Sequence, residues 1–140
     1  MVEQTTRYGI GVTVPLPYDT ALERTRAALA TEGFGVLTEI DMRATLKKKL
    51  DVDFRPYTIL GACNPPLAYQ AVLAERDIGL LLPCNLVVYA GDTEGTSVVA
   101  AMDPVQALQL TGRDDIHALA TEVRARLERV LATIEREASA

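Results

Sequence analysis

Two Cys-Asn pairs are the residues of this 140-residue chain best suited to chemistry. Cys63-Asn64 stands directly before Pro65-Pro66, and Cys84-Asn85 follows Pro83. Asn-Pro-Pro is a helix-start signal: asparagine is a favoured N-cap, and proline at the first helical position gives up an N–H that would have no partner there. Cys63 therefore precedes a helix N-terminus, where unpaired N–H groups and the helix dipole favour an anion and can lower a thiol pKa. A thiolate so placed is a nucleophile or a metal ligand, with Cys84 as a resolving partner. Each cysteine is also readable as packing, since buried cysteines behave as small hydrophobes. Asn85 can cap local backbone groups beside a turn.

Whether the two thiols meet depends on the chain between them. A helix from Pro65 to about Arg76 spans roughly 18 Å and carries the chain away from Cys63. A strand beginning only at Cys84 is then expected to leave the thiols at opposite ends of the sheet. If Ile78 to Leu82 is already extended, it covers about 17 Å and returns Cys84 towards Cys63. The apolar run Leu80-Leu81-Leu82 favours the second course, with Cys63, Asn64, Cys84 and Asn85 edging one small-ligand pocket and both thiols reduced.

The remaining candidates are weaker. Cys63, Cys84 and His117 have metal-ligand types but no recognised spacing. His117 shares the polar side of the last helix with Thr121, Arg124 and Glu128, so no metal site and no cofactor are expected. Gly9-Ile10-Gly11 lies inside a strand pattern and lacks the third glycine of a dinucleotide fingerprint. Tyr57, Tyr69 and Tyr89 read as sheet and interface aromatics. Ser97 and His117 with nearby acids form no hydrolase signature.

The elements that must position these residues alternate along the chain. Tyr8, Ile10, Val12 and Val14 alternate with Arg7, Gly9, Gly11 and Thr13, which predicts a strand with one buried face. Pro15 and Pro17 end it. Thr20 and Glu23 have capping-box spacing, predicting a helix that stops at Gly33. Val36 to Asp41 reads as a second strand and Met42 to Leu50 as a short helix capped by Asp41. Tyr57 to Cys63 is the third strand, Leu80 to Ala90 the fourth and Thr96 to Met102 its hairpin partner across the Gly91–Gly95 turn. Asp103-Pro104 starts a helical turn that Gly112 breaks. From Asp115 to about Ile134 an apolar stripe recurs at helical spacing. The whole reads as one domain over residues 1–140, α+β, with a single mixed or antiparallel sheet, helices on one face and the order β-α-β-(α)-β-α-β-β-α.

Composition narrows the partners. Hydrophobic residues make up 49% and charged residues 24%, ordinary globular values. A net charge of −5 counts against nucleic acid and anionic membranes, which require a positive field. Lys47-Lys48-Lys49 sits among acids and reads as solvated surface. No apolar run approaches the roughly 20 residues of a membrane helix. Two cysteines with no visible signal segment suggest a reducing, cytoplasmic setting.

Lys49-Leu50-Asp51-Val52-Asp53, then Tyr57 to Ala68, and finally Gly79 to Tyr89 with its second Cys-Asn, resemble the centre of the domain-of-unknown-function 302 family. Asp51 stands where that family is expected to have glycine. The resemblance implies a small domain shaped like the TATA-binding-protein fold and paired as a homodimer, and it implies no reaction; shared shape transfers no nucleic-acid function. A dimer through a sheet face or edge is also expected on physical grounds, because one layer of helices covers only one face of a sheet. Two functions follow: a homodimeric binding or assembly module, or a thiol-dependent enzyme or redox sensor using Cys63 with Cys84.

Overall fold

Alternation of apolar and polar residues builds the sheet. In this computed structural model, which describes residues 1–139, six strands are found among the described residues. They are β1 (Glu3–Thr6), β2 (Gly9–Val14), β3 (Gly35–Asp41), β4 (Tyr57–Cys63), β5 (Cys84–Ala90) and β6 (Ser97–Met102). They form one sheet in the order β1-β2-β6-β5-β4-β3, antiparallel at every pairing. The helices are α1 (Tyr18–Thr31), α2 (Met42–Leu50), α3 (Pro65–Ala74), α4 (Pro104–Ala107) and α5 (Asp114–Ala138). The expected α+β architecture is the one observed.

One set of alternate residues faces the helices and is fully buried, including Ile10, Val12, Leu60, Leu86, Val88 and Val99. Against it pack Leu22 and Leu29 of α1 and Leu127, Val130, Leu131 and Ile134 of α5. A satellite cluster of Ala71, Ile78, Leu108, Ile116 and Ala120 lies beside this core. At 25 residues, α5 is about 37 Å long and serves both clusters with one continuous stripe. None of the helices among the described residues is long and apolar enough to cross a membrane.

Four sequence expectations need correction. Ile78–Leu82 is not extended: Arg76–Leu81 forms a 3-10 turn, and β5 starts at Cys84. Bonds from Ile78 N–H to Glu75 and from Leu82 N–H to Gly79 close that turn. Its apolar run is split accordingly, with Ile78 buried and Leu80 87% exposed. Pro83 has no N–H for a ladder, so pairing begins after it. Next, α1 starts at Tyr18 with Pro17 at its N-cap and no side-chain cap; Thr20 and Glu23 lie inside the helix. Strand β1 is wholly polar and exposed, so it carries no alternation to read. Finally, α5 extends four residues beyond Ile134.

Other local signals act as read. Asp41 caps α2 by accepting from Ala44 N–H at 2.9 Å. Gly33 adopts φ +80° after α1, a left-handed conformation that favours glycine. The basic run closes α2, where Lys47 pairs with Asp51 at 2.9 Å, and all three lysines are exposed.

Candidate functional site

Where the main core and the satellite cluster join, the packing is incomplete. A cavity of about 270 Å³ lies there, between the Cys63/Cys84 end of the sheet, helix α3 and the N-terminal half of α5. Its sheet side is Ala62, Cys63 and Cys84; α3 contributes Leu67, Ala68 and Ala71; α5 contributes Ile116, Leu119, Ala120 and Val123. Phe34, Leu82 and Leu108 close other sides. Leu37, the extra residue of a bulge between Val36 and Thr38, also reaches the lining while 66% exposed. A bulge re-aims a side chain in this way. Among the described residues, no Asp, Glu, His, Lys or Arg lines this cavity.

Both cysteines reach the cavity, by a different route from the one expected. Strands β4 and β5 are antiparallel with Ala62 opposite Cys84. The end of one strand therefore lies beside the start of the next, even though Ile78–Leu82 is not extended. Helix α3 goes out and the 3-10 turn comes back, so a strand starting at Cys84 returns to Cys63 rather than to the far edge. Cys63 is half-buried, Cys84 is buried, and both are free thiols. Burial pushes the Cys84 thiol up to about 11, with the nearby Cys63 charge adding to the rise. Cys84 is therefore protonated at neutral pH.

Asn64 lines the same cavity with its amide engaged at both ends. Its Oδ1 accepts from Leu67 N–H at 3.3 Å, and its Nδ2 donates to the Glu32 carbonyl at 3.4 Å. Arg126 donates to that carbonyl too, at 3.1 Å, tying α1, α3 and α5 together. The start of α3 offers an anion little. Pro65 and Pro66 have no N–H, Leu67 N–H is capped, and Ala68 N–H donates to the Asn64 carbonyl at 2.9 Å. The free N–H groups expected beside Cys63 are thus already used.

Asn85 does not join the other three. Alternation places it on the face of the sheet without helices, where it is exposed. There it lines an open cleft of about 510 Å³ with Tyr8, Tyr57, Val87, Tyr89 and Met102. Tyr57 and Tyr89 stack with ring centroids 5.2 Å apart and planes 6° apart. Partial burial, then the neighbouring Tyr89 and Tyr8 hydroxyls, raises the Tyr57 phenol. Gly61, on this same face, allows close approach, because a methyl there would collide with Thr38 and Pro83. Tyr69 lies elsewhere, 66% exposed on α3. His117 is exposed on α5 in a shallow hollow with Gln109 and Arg113, outside the lining that holds the cysteines.

Sequence reasoning found the two cysteines and Asn64 but missed the apolar walls. The available signal was the run of alanines at Ala62, Ala68, Ala71 and Ala120, small side chains on three elements that converge. In the structure Leu119 and Val123 stay only half-buried while Leu127, Val130, Leu131 and Ile134 are sealed in the core.

A family model described as "Domain of unknown function DUF302" matches residues 10–134. The fold is similar to the crystal structure of an uncharacterised conserved DUF302 protein from Bacillus stearothermophilus, with a TM-score of 0.84 and 28% sequence identity over 92% of this chain and 99% of that one. No curated protein matches the chain.

Proposed function

This chain belongs to the DUF302 family, and we propose that it is a homodimeric binding module whose cavity between sheet, α3 and α5 holds a small molecule. The observation that carries this reading is the lining: about 270 Å³ bounded by apolar side chains, two thiols and the Asn64 amide. Binding sites are typically concave and mostly apolar with few polar groups. A catalytic site needs a group to move protons, and none of the ionisable side chains other than the thiols borders the cavity among the described residues. Cys84, held protonated by burial, would make a poor resolving thiol for Cys63, because the thiolate is the reactive form. These points favour binding over thiol catalysis.

Dimerisation is supported by the face without helices. Ile59, Val87, Tyr89, Val98, Ala100 and Met102 point to that side and are only half-buried. An apolar surface of this kind on a soluble domain marks an interaction site, and an isologous pair of identical faces is the commonest arrangement. Native mass spectrometry of freshly purified protein tests the ligand reading, with a bound mass expected. Sedimentation at micromolar concentration tests the dimer. A clean 15.2 kDa species would overturn it.

A further inference from the structure

We infer that the cavity takes an uncharged, apolar molecule of about one to two aromatic rings in size, a conclusion that rests on the binding-module reading and names its ligand class. Three observations carry it.

The first is volume. An apolar cavity of about 150 Å³ holds a benzene molecule, so a cavity of about 270 Å³ suits something up to roughly twice that size. The second is charge. An anion or cation moved out of water needs a compensating partner, and the lining supplies no ionised side chain among the described residues. The third is the scarcity of polar capacity. Asn64 already spends its oxygen on Leu67 N–H and one amide N–H on the Glu32 carbonyl. The first four positions of α3 offer two prolines, one capped N–H and one helix-bonded N–H. A carboxylate or phosphate would therefore find no donor set, although it would sit at a helix start. A neutral apolar molecule requires none of these partners and gains from leaving water.

The test uses the intact protein and two probes of nearly equal shape, naphthalene and 2-naphthoate, titrated by calorimetry or by probe fluorescence. Naphthalene should bind at least tenfold more tightly. Binding should be lost in Ala68→Phe and in Val123→Phe, which place a ring in the cavity from α3 and from α5. Thermal melting of both variants identifies any that fails to fold, and the other then decides. Bound naphthalene should also slow iodoacetamide labelling of Cys63. Equal or tighter binding of 2-naphthoate, abolished by the same ring insertions, would overturn the ligand class and leave the binding module standing. If neither probe binds up to the aqueous solubility limit of naphthalene and Cys63 labelling is unchanged, the binding reading itself falls with it.

Discussion

Cys84 and Asn85 are neighbours in sequence and lie on opposite faces of β5. Around Cys84 the sheet is roofed by α3 and α5, the lining lacks ionised side chains among the described residues, and burial keeps the thiol protonated. Around Asn85 the sheet is open, and its cleft carries three phenols, an amide and threonine hydroxyls over an apolar floor. The first region encloses about 270 Å³ and the second opens to about 510 Å³. A period of two along a strand is all that separates them. In a sheet with helices on one side, adjacent residues can therefore differ in role more than residues far apart in the chain.

That contrast is broken most directly by the same substitution on each face. Leu86→Asp buries an unpaired charge at a position with 0% exposure and should abolish the cooperative melting transition. Val87→Asp should melt close to the parent and instead shift sedimentation towards monomer. If Val87→Asp also unfolds the protein, the open face is part of the monomer's core and the comparison fails.

Titration sharpens the difference in chemistry. Cys84 goes from 9.0 to about 11 on folding, so the native state favours the protonated thiol. Its stabilising contribution is complete below about pH 9 and is lost as pH rises towards 11. Denaturant unfolding across that window should show a decline in stability that Cys84→Ala largely removes. A parallel decline in both proteins would assign it to other groups. In the same range Cys63, being more exposed, should be alkylated well before Cys84, as peptide mapping would show.

The two asparagines offer a smaller contrast. Asn64→Ala removes an N-cap and a tie to the Glu32 carbonyl, and should cost about 1–2 kcal/mol in urea unfolding. Asn85→Ala, on an exposed side chain, should stay within about 0.5 kcal/mol. Equal losses would mean that Asn85 is held in the monomer as firmly as Asn64. Smallest is the effect of Tyr89→Phe, which removes one of the neighbouring hydroxyls that raise Tyr57. The Tyr57 phenolate absorbance should then appear at lower pH. An unchanged onset would leave burial and Tyr8 as the causes.

Much of this was legible wherever the signal is local. Tyr57–Cys63 is the strand its alternation describes, and Asn64-Pro65 starts the helix its residue types require. Asp41 and Gly33 likewise act within a few residues of themselves. The position of Cys84 relative to Cys63 depended on strand direction, a property of the whole sheet. The return towards Cys63 is expected along an extended Ile78–Leu82, whereas a 3-10 turn at Arg76–Leu81 makes it. The cavity was hidden for a related reason. Phe34, Leu108 and Leu119 each look like ordinary core residues in sequence, and only their convergence leaves a space. Asn85 resembles Asn64 in its Cys-Asn setting, but the alternation of β5 turns it to the opposite face from Cys84.

Helix α2 has no buried residue, and the segment that follows it, Asp51 to Arg55, is exposed throughout. Nothing in the core depends on that excursion between β3 and β4, and exposed connections of this kind accept added chain at small entropic cost. A fluorescent reporter or affinity handle inserted between Val52 and Asp53 should therefore leave melting within a few degrees of the parent. It would sit on the molecule away from the cavity lining, reporting on guests without competing with them.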